Sequence, residues 1–329
     1  MEKWAAIDIG SNTVQLLVAQ VKARGQKSDS GASRAKDGLL SLNRFTSNRI
    51  QSIGLPQNIV LLFHALRTTR LGACRQPGLL EAERIAETVA VLEEYKGIIA
   101  SHGVSRLRVV ATSAIRDALN RRLLLDAIRE QCGWQVEVLS GQQEARLSFW
   151  GASAAALDSG FKHILLLDIG GSSSELIRWD QGCLTAQSFN MGAVRAQTAG
   201  WQAAEIESRL AKELKKNEDD KTAFAIGAGG TITTAAALVQ GHQEYNRASV
   251  AGYSLKIGQV EELLEKFQSL SISQRCAFSP LLSRRGEIIC EGLMIVGAFC
   301  RLLSLSALTV SAGGVLEGCL MELGMRNEE

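Results

Sequence analysis

The seven cysteines at 74, 132, 183, 276, 290, 300 and 319 include no Cys-x-x-Cys pair, and the four histidines stand alone, so the spacing of a zinc site is missing. Nor is there a disulfide-like cluster, and an odd number of scattered thiols fits a reducing, cytoplasmic compartment. No charge of one sign prevails: 36 Lys and Arg stand against 34 Asp and Glu, a net charge of +2. That balance provides no long-range field for nucleic acid or a membrane surface. Long apolar runs are absent as well. Asp8 interrupts the stretch that a signal peptide would need. Glu287, Glu291 and Arg301 break the most apolar late segment, well short of the ~20 residues that cross a bilayer. What remains is a chain of 329 residues, 46% of them hydrophobic, long enough for two domains.

The pattern alternates β and α. "WAAIDI" and "TVQLLVAQV" read as two short strands around Gly10-Ser11-Asn12, hence a hairpin rather than the strand–helix of a P-loop. Residues 23–58 are rich in Ser, Gly, Arg and Asn and read as a long excursion with little drive to bury. "IVLLFHALR" returns as a third strand. Ile85, Val89, Leu92 and Ile99 then fall at helical spacing. "RLRVVA" reads as a strand feeding one helical stretch over 112–133; "WQVEVLS" reads as a strand and "GQQEARLSFWGASAAAL" as a helix. At 163–178 the opening pattern comes back, with Asp168 in the part of Asp8. Further glycine turns follow at "AIGAGGTITTAAAL" and "SAGGVLEG". The chain therefore reads as two related α/β halves over a cleft: residues 1–125 with the 23–58 insertion, and 126–329, whose last helix packs back on the first half.

Three turns carry chemistry. Asp8, Gly10, Ser11, Asn12 and Thr13 combine an acid with small residues whose backbone N–H groups converge into an anion nest. Taken alone, the same residues also make an ordinary hairpin turn. In Asp168-Ile-Gly170-Gly171-Ser172-Ser173-Ser174-Glu175 the two carboxylates face one another across a hairpin, beside a donor-rich loop. That set suits Mg²⁺ or another divalent cation together with phosphate oxygens. Gly229-Gly230-Thr231 ahead of a helix offers free N–H groups to an anion, although close strand–helix packing asks for the same glycines. By spacing alone, Glu144 is a solvated helical glutamate and Arg116 a surface arginine.

With these turns in place, the sequence resembles the exopolyphosphatase/guanosine pentaphosphate phosphatase family of the actin-like superfamily. Four segments carry the likeness in order: "AAIDIGSNTVQLLVAQV", "VVATSAIRDALN", "VEVLSGQQEARLSFWG" and "LLLDIGGSSSELI", with weaker support from "RLG" at 70–72 and the two later glycine turns. The resemblance implies two actin-like (ribonuclease H-like) α/β domains with an interdomain cleft. It implies that Glu144 presents the attacking water, that Asp168 and Glu175 hold a divalent metal, and that the turns at Gly10 and Gly170 bind phosphate. It also places Arg116 facing phosphate across the cleft. The expected substrate is inorganic polyphosphate or guanosine pentaphosphate, and the family includes homodimers. A small-molecule kinase and a non-catalytic polyphosphate or alarmone sensor are the rival readings. Four residues depart from the family pattern: Ser172 stands for a third glycine and Ser174 for a threonine, and Ala312 and Leu316 remove an acid and a base from the late turn.

Overall fold

Strand β1 (Glu2–Ile9) is apolar on both faces because it is covered on both. Ala5, Ile7 and Ile9 enter one core, while Trp4 and Ala6 enter another on the opposite side. In this computed structural model, which describes residues 2–21, 59–73, 78–215 and 223–325, β1 forms the expected hairpin with β2 (Thr13–Val21). The expected excursion at 23–58 lies outside the described residues. β3 (Ile59–Thr68) extends the hairpin antiparallel. After α1 (Ala82–His102), β4 (Arg106–Ala111) joins the other edge of β1 in parallel. α2 (Ser113–Arg116) and α3 (Arg121–Cys132) lead to β5 (Glu137–Val138), and the first sheet runs β3-β2-β1-β4-β5.

Helix α4 (Gly141–Asp158) carries the chain across to the second sheet. There β6 (His163–Ile169), β7 (Ser174–Asp180) and β8 (Cys183–Phe189) form an antiparallel meander. α5 (Ala193–Ala199) and α6 (Ala203–Glu213) precede β9 (Phe224–Ala228), which pairs in parallel with β6. The chain continues through α7 (Gly230–Val239), α8 (Arg247–Val250), β10 (Ser254–Lys256), α9 (Ile257–Gln268), α10 (Ile272–Phe278) and α11 (Ile289–Leu303). It closes with β11 (Ala307–Val310) and α12 (Val315–Met325). The second sheet runs β10-β11-β9-β6-β7-β8. Apart from β10, the two sheets share one topology: a three-stranded antiparallel meander extended by two parallel strands. The recurring turns implied the two related halves, and the family resemblance implied the actin-like two-domain α/β fold that they form. Among the described residues no helix is long and apolar enough to cross a membrane.

Three expectations need correction. The stretch 112–133 is two helices, because Asn120 spends its side-chain amide on the backbone of Leu80, donating to its carbonyl and accepting from its N–H, both at 2.8 Å. Of 134–140, only Glu137–Val138 reaches the sheet. A division at 125–126 falls inside α3, whose Leu124 and Ile128 are buried in the first lobe; the sheets change over after Val138.

Helix α12 packs Leu316, Cys319 and Leu320 against Trp4, Ala6 and Leu17 of the first sheet, so the last helix does return to the first lobe. It lies so close to α4 that side chains are excluded. A Cβ on Gly151 would sit 1.9 Å from the Gly314 carbonyl oxygen, and one on Gly318 would sit 2.1 Å from that of Leu147. Gly97, exposed in α1, has nothing within 4 Å. In urea denaturation, Gly151→Ala should cost about 1–3 kcal/mol through overpacking, whereas Gly97→Ala should gain about 0.5–1 kcal/mol through helix propensity. Equal effects of the two would mean that the α4–α12 seam is loose.

Candidate active site

The two acid-tipped hairpins are built alike. Gly10 N–H donates to the Thr13 carbonyl at 2.9 Å, and Gly170 N–H to that of Ser173 at 3.0 Å. Asp8 pairs in register with Gln15, and Asp168 with Glu175, so Asp168 and Glu175 share one face of their ladder as expected. In each lobe the segment after the third strand takes hold of the turn's carbonyls. In the first, Gly72 N–H donates to the Ser11 carbonyl, and both Thr69 and Arg70 N–H donate to that of Asn12. In the second, Ala193 N–H donates to the Gly170 carbonyl, and Val194 and Arg195 N–H donate to that of Gly171.

The two turns touch. A Cβ on Gly171 would lie 2.9 Å from Ser11 Cβ, so only glycine allows this approach. Together they border a cavity of about 560 Å³ between the lobes, which also receives the third glycine turn. Gly229 has φ +93°, and a Cβ there would come 2.4 Å from the Ile169 carbonyl oxygen and 3.0 Å from Asp168 Oδ1. The left-handed backbone and the close approach to Asp168 both require glycine.

Glu144 stands in the first turn of α4, which is fixed by a capping box in which Ser140 Oγ accepts from Gln143 N–H at 3.2 Å. Its Oε2 accepts a hydrogen bond from Arg116 Nη1 at 2.7 Å. Even so, burial first, and then repulsion from Asp168 and Asp117, push its pKa up from 4.5 to about 7. Asp8 rises from 3.8 to about 8 through burial, followed by repulsion from Glu144, Asp168 and Glu317. Burial also raises Asp168, opposed by the hydrogen bond that Ser148 Oγ donates to Asp168 Oδ2. Glu175 is raised well above the carboxylate range by burial and then by Glu144 and Asp168, while Ser173 and Ser188 hold its charged form. Four carboxylates thus face one another, and among the described residues Arg116 is bonded to one of them, Glu144.

Arg116 departs from its expected place. It does not border the cavity; its Nη1 is spent on Glu144 and on the Leu139 carbonyl at 3.0 Å, because a buried glutamate among other acids needs a counter-charge. Ser172 and Ser174 are also turned away. Ser172 Oγ points at Gly72, 3.2 Å from where a Cβ would be, so this serine leaves the cavity open; Ser174 Oγ donates to the Met191 carbonyl. Every other expected site residue lines the cavity: Asp8, Gly10, Ser11, Asn12, Thr13, Glu144, Asp168, Gly170, Gly171, Ser173, Glu175, Gly229, Gly230 and Thr231.

The cavity has further residues that the sequence did not disclose. Arg285 lies against Gly230, where a Cβ would meet its Nη1 at 2.2 Å; burial lowers its pKa, and no carboxylate among the described residues pairs with it. Arg247 Nη2 pairs with Glu317 Oε1 at 2.5 Å, which brings a guanidinium from α8 to the late turn that Leu316 deprives of a base. Neither arginine has a spacing that marks it. Ser148, which does not line the cavity but holds Asp168 from behind, does have one: it lies one turn after Glu144 on the same helix face.

Because the native state raises these pKa values, it holds protons that the unfolded chain has released above about pH 4–5. In chelating buffer, stability should therefore be highest on the acid side and fall as pH rises through about 7 and about 8, by about 1.4 kcal/mol per pH unit for each proton held. Asp8→Asn should flatten this fall. Urea denaturation at about pH 5.5 and about pH 8.5 measures it, and equal stabilities at both would remove the electrostatic account.

With this geometry established, comparison with known proteins is informative. The Ppx/GppA phosphatase family model matches residues 50–326. Exopolyphosphatase 2 of Mycobacterium tuberculosis is 27% identical over 341 residues, 97% of this chain and 98% of that protein. The crystal structure of the Aquifex aeolicus member of the family superposes with a TM-score of 0.73 at 26% identity, covering 100% of this chain and 99% of that one. An exopolyphosphatase structure from Cytophaga hutchinsonii shares the fold, with a TM-score of 0.76 at 21% identity over 98% of this chain and 97% of that one. This chain, with its paired acid-tipped turns, belongs to the Ppx/GppA phosphatase family.

Proposed function

We propose that this chain is an exopolyphosphatase, a phosphoanhydride hydrolase that removes the terminal phosphate of inorganic polyphosphate. The observation that carries this reading is the contact of the two turns over a cavity into which buried Glu144 also opens. The terminal phosphoryl group sits against the turns at 10–13 and 170–173, where backbone N–H groups and hydroxyls replace its water. Glu144 takes a proton from the attacking water, whose oxygen bonds to phosphorus as the bridging P–O bond breaks. Orthophosphate and a chain shorter by one phosphoryl unit result, and Glu144 returns its proton to solvent. A pKa of about 7 suits this task, since the base is then partly ionised at neutral pH. Arg116 orients Glu144 and stabilises its charged form. Arg285, without a carboxylate partner among the described residues and beside the third glycine turn, is placed for the oxygens of the departing chain.

The carboxylates fit a divalent cation, for which Mg²⁺ is our choice. Asp8 Oδ1 is buried without a hydrogen-bond partner, and the neighbouring acids raise one another's pKa. No group of three or more metal-ligating side chains is closed into a cage among the described residues. Mg²⁺ does not require one, because it keeps several waters and shares one or two carboxylates with substrate phosphates. Asp168 and Glu175 would hold it, with Asp8 alongside. When bound, it neutralises charge on the phosphoryl oxygens. The six described cysteines are all unpaired, which supports a cytoplasmic home.

Glu144→Gln should keep its fold, checked by circular dichroism, and lose phosphate release by about 100- to 10,000-fold. Retention of full turnover would refute the assignment. Long-chain polyphosphate and guanosine pentaphosphate, compared at matched concentration, decide the substrate: a higher kcat/KM on the nucleotide would replace our choice with pentaphosphate hydrolysis. Asp168→Asn should raise the Mg²⁺ concentration needed for half-maximal release by about tenfold or more, and an unchanged metal requirement would move the cation elsewhere.

A further inference from the structure

The two phosphate turns are equivalent in fold but not in how their third carbonyl is held. In the first lobe the Asn12 carbonyl accepts two backbone N–H groups, from Thr69 and Arg70, both at 3.1 Å. The equivalent carbonyl in the second lobe, that of Ser172, accepts from a side chain: Arg195 Nε donates to it at 2.8 Å. The same guanidinium reaches across the cleft, where Nη2 meets Asp117 Oδ2 of the first lobe at 2.9 Å.

The consequence follows from the planarity of the peptide. In a trans peptide the C=O and the following N–H point in opposite directions. The carbonyls of Gly170 and Gly171 are drawn towards the start of α5 by backbone N–H groups, and that of Ser172 is drawn to the same side by Arg195. The N–H groups of Gly171, Ser172 and Ser173 are thereby turned the other way, and Gly171 and Ser173 border the cavity. The first two peptides are fixed by main chain. The third depends on one side chain.

We propose that Arg195 is a positioning residue for the second phosphate turn: anchored on Asp117 of the opposite lobe, it holds the Ser172 carbonyl so that the Ser173 N–H faces the bound phosphate. Asp117 adjoins Arg116, which in turn holds Glu144, so one guanidinium ties the phosphate turn of the second lobe to the first-lobe segment that holds the base. Arginine is required because its planar fork serves both partners at once, which a lysine ammonium on a flexible stem does not. The pair is about one-third exposed, at 35% and 42%, so its own contribution to stability is small.

The proposal rests on phosphoanhydride hydrolysis at this site, and its test is built to fail separately. With polyphosphate and Mg²⁺, Arg195→Ala should lower kcat/KM between about tenfold and about 100-fold, with KM rising by no more than about tenfold and the melting transition retained. Arg195→Lys should fall between it and wild type. Asp117→Ala, which spares the Ser172 contact, should cost less than Arg195→Ala. The exchange Arg195→Asp with Asp117→Arg restores an ion pair across the cleft but no donor to Ser172, and should stay as slow as Arg195→Ala. Turnover of Arg195→Ala within about twofold of wild type would overturn the proposal, as would full recovery in the exchanged variant or a loss that follows a collapsed melting transition. Calorimetry with inorganic tripolyphosphate gives a reading independent of turnover: Arg195→Ala should bind about tenfold more weakly, the effect of one lost hydrogen bond to a charged group. If wild type binds tripolyphosphate or releases phosphate and Arg195→Ala matches it, this inference alone falls. If wild type does neither, the functional reading falls with it.

Discussion

Four carboxylates, Asp8, Glu144, Asp168 and Glu175, are held against one another at the bottom of a protein cleft, and the fold has to tolerate them. Burial and mutual repulsion favour their protonated forms, and Arg116 compensates only one of them directly. Such an arrangement is costly in an empty protein. Under the proposed function it would become favourable when positive charge and phosphate enter together, with the cation against the acids and the N–H nests and Arg285 against the anion. The charge that destabilises the free protein is thus what prepares it for its ligands.

The duplicated topology explains how the acids are brought there. Each lobe has an antiparallel hairpin ending in an acid and a short turn, and the following segment captures the turn's carbonyls so that its N–H groups converge. Placed face to face, two such units yield a double anion site with no further invention. The copies then diverge by one register position. Gln15 stands opposite Asp8 where Glu175 stands opposite Asp168, so the first lobe contributes one carboxylate and the second contributes two. On the proposed assignment, that asymmetry would put the cation's main ligands on the second lobe and leave the first to complete the site.

Much of this was readable in the sequence, for identifiable reasons. A hairpin turn of small residues after an acid is a local signal, and its recurrence at Asp168 gave it weight. The facing of Asp168 and Glu175 followed from hairpin register alone. Glu144 was different. Its spacing was that of a solvated helical glutamate, and only resemblance singled it out; its burial depends on α4 lying between the lobes, which is a tertiary fact. The orientation of Arg116 was misjudged for the same reason, since an arginine beside a phosphate cleft and one paired with a buried acid look identical in sequence. Arg247 and Arg285 reach the cavity from elements remote in the chain and gave no local sign.

The contacts between the lobes differ in strength according to where they lie. At the seam, α12 and α4 approach through glycines and bury Leu147, Leu316 and Leu320 against the first sheet, an interface with no room for side chains to adjust. Away from the seam, ion pairs among the described residues that join the lobes include Arg70 with Glu287 at 2.8 Å and Arg195 with Asp117 at 2.9 Å, all four side chains between 31% and 42% exposed. Pairs of that exposure contribute only about 0–1 kcal/mol each. The close apolar seam, and not these polar ties, therefore sets how the two turns stand to one another.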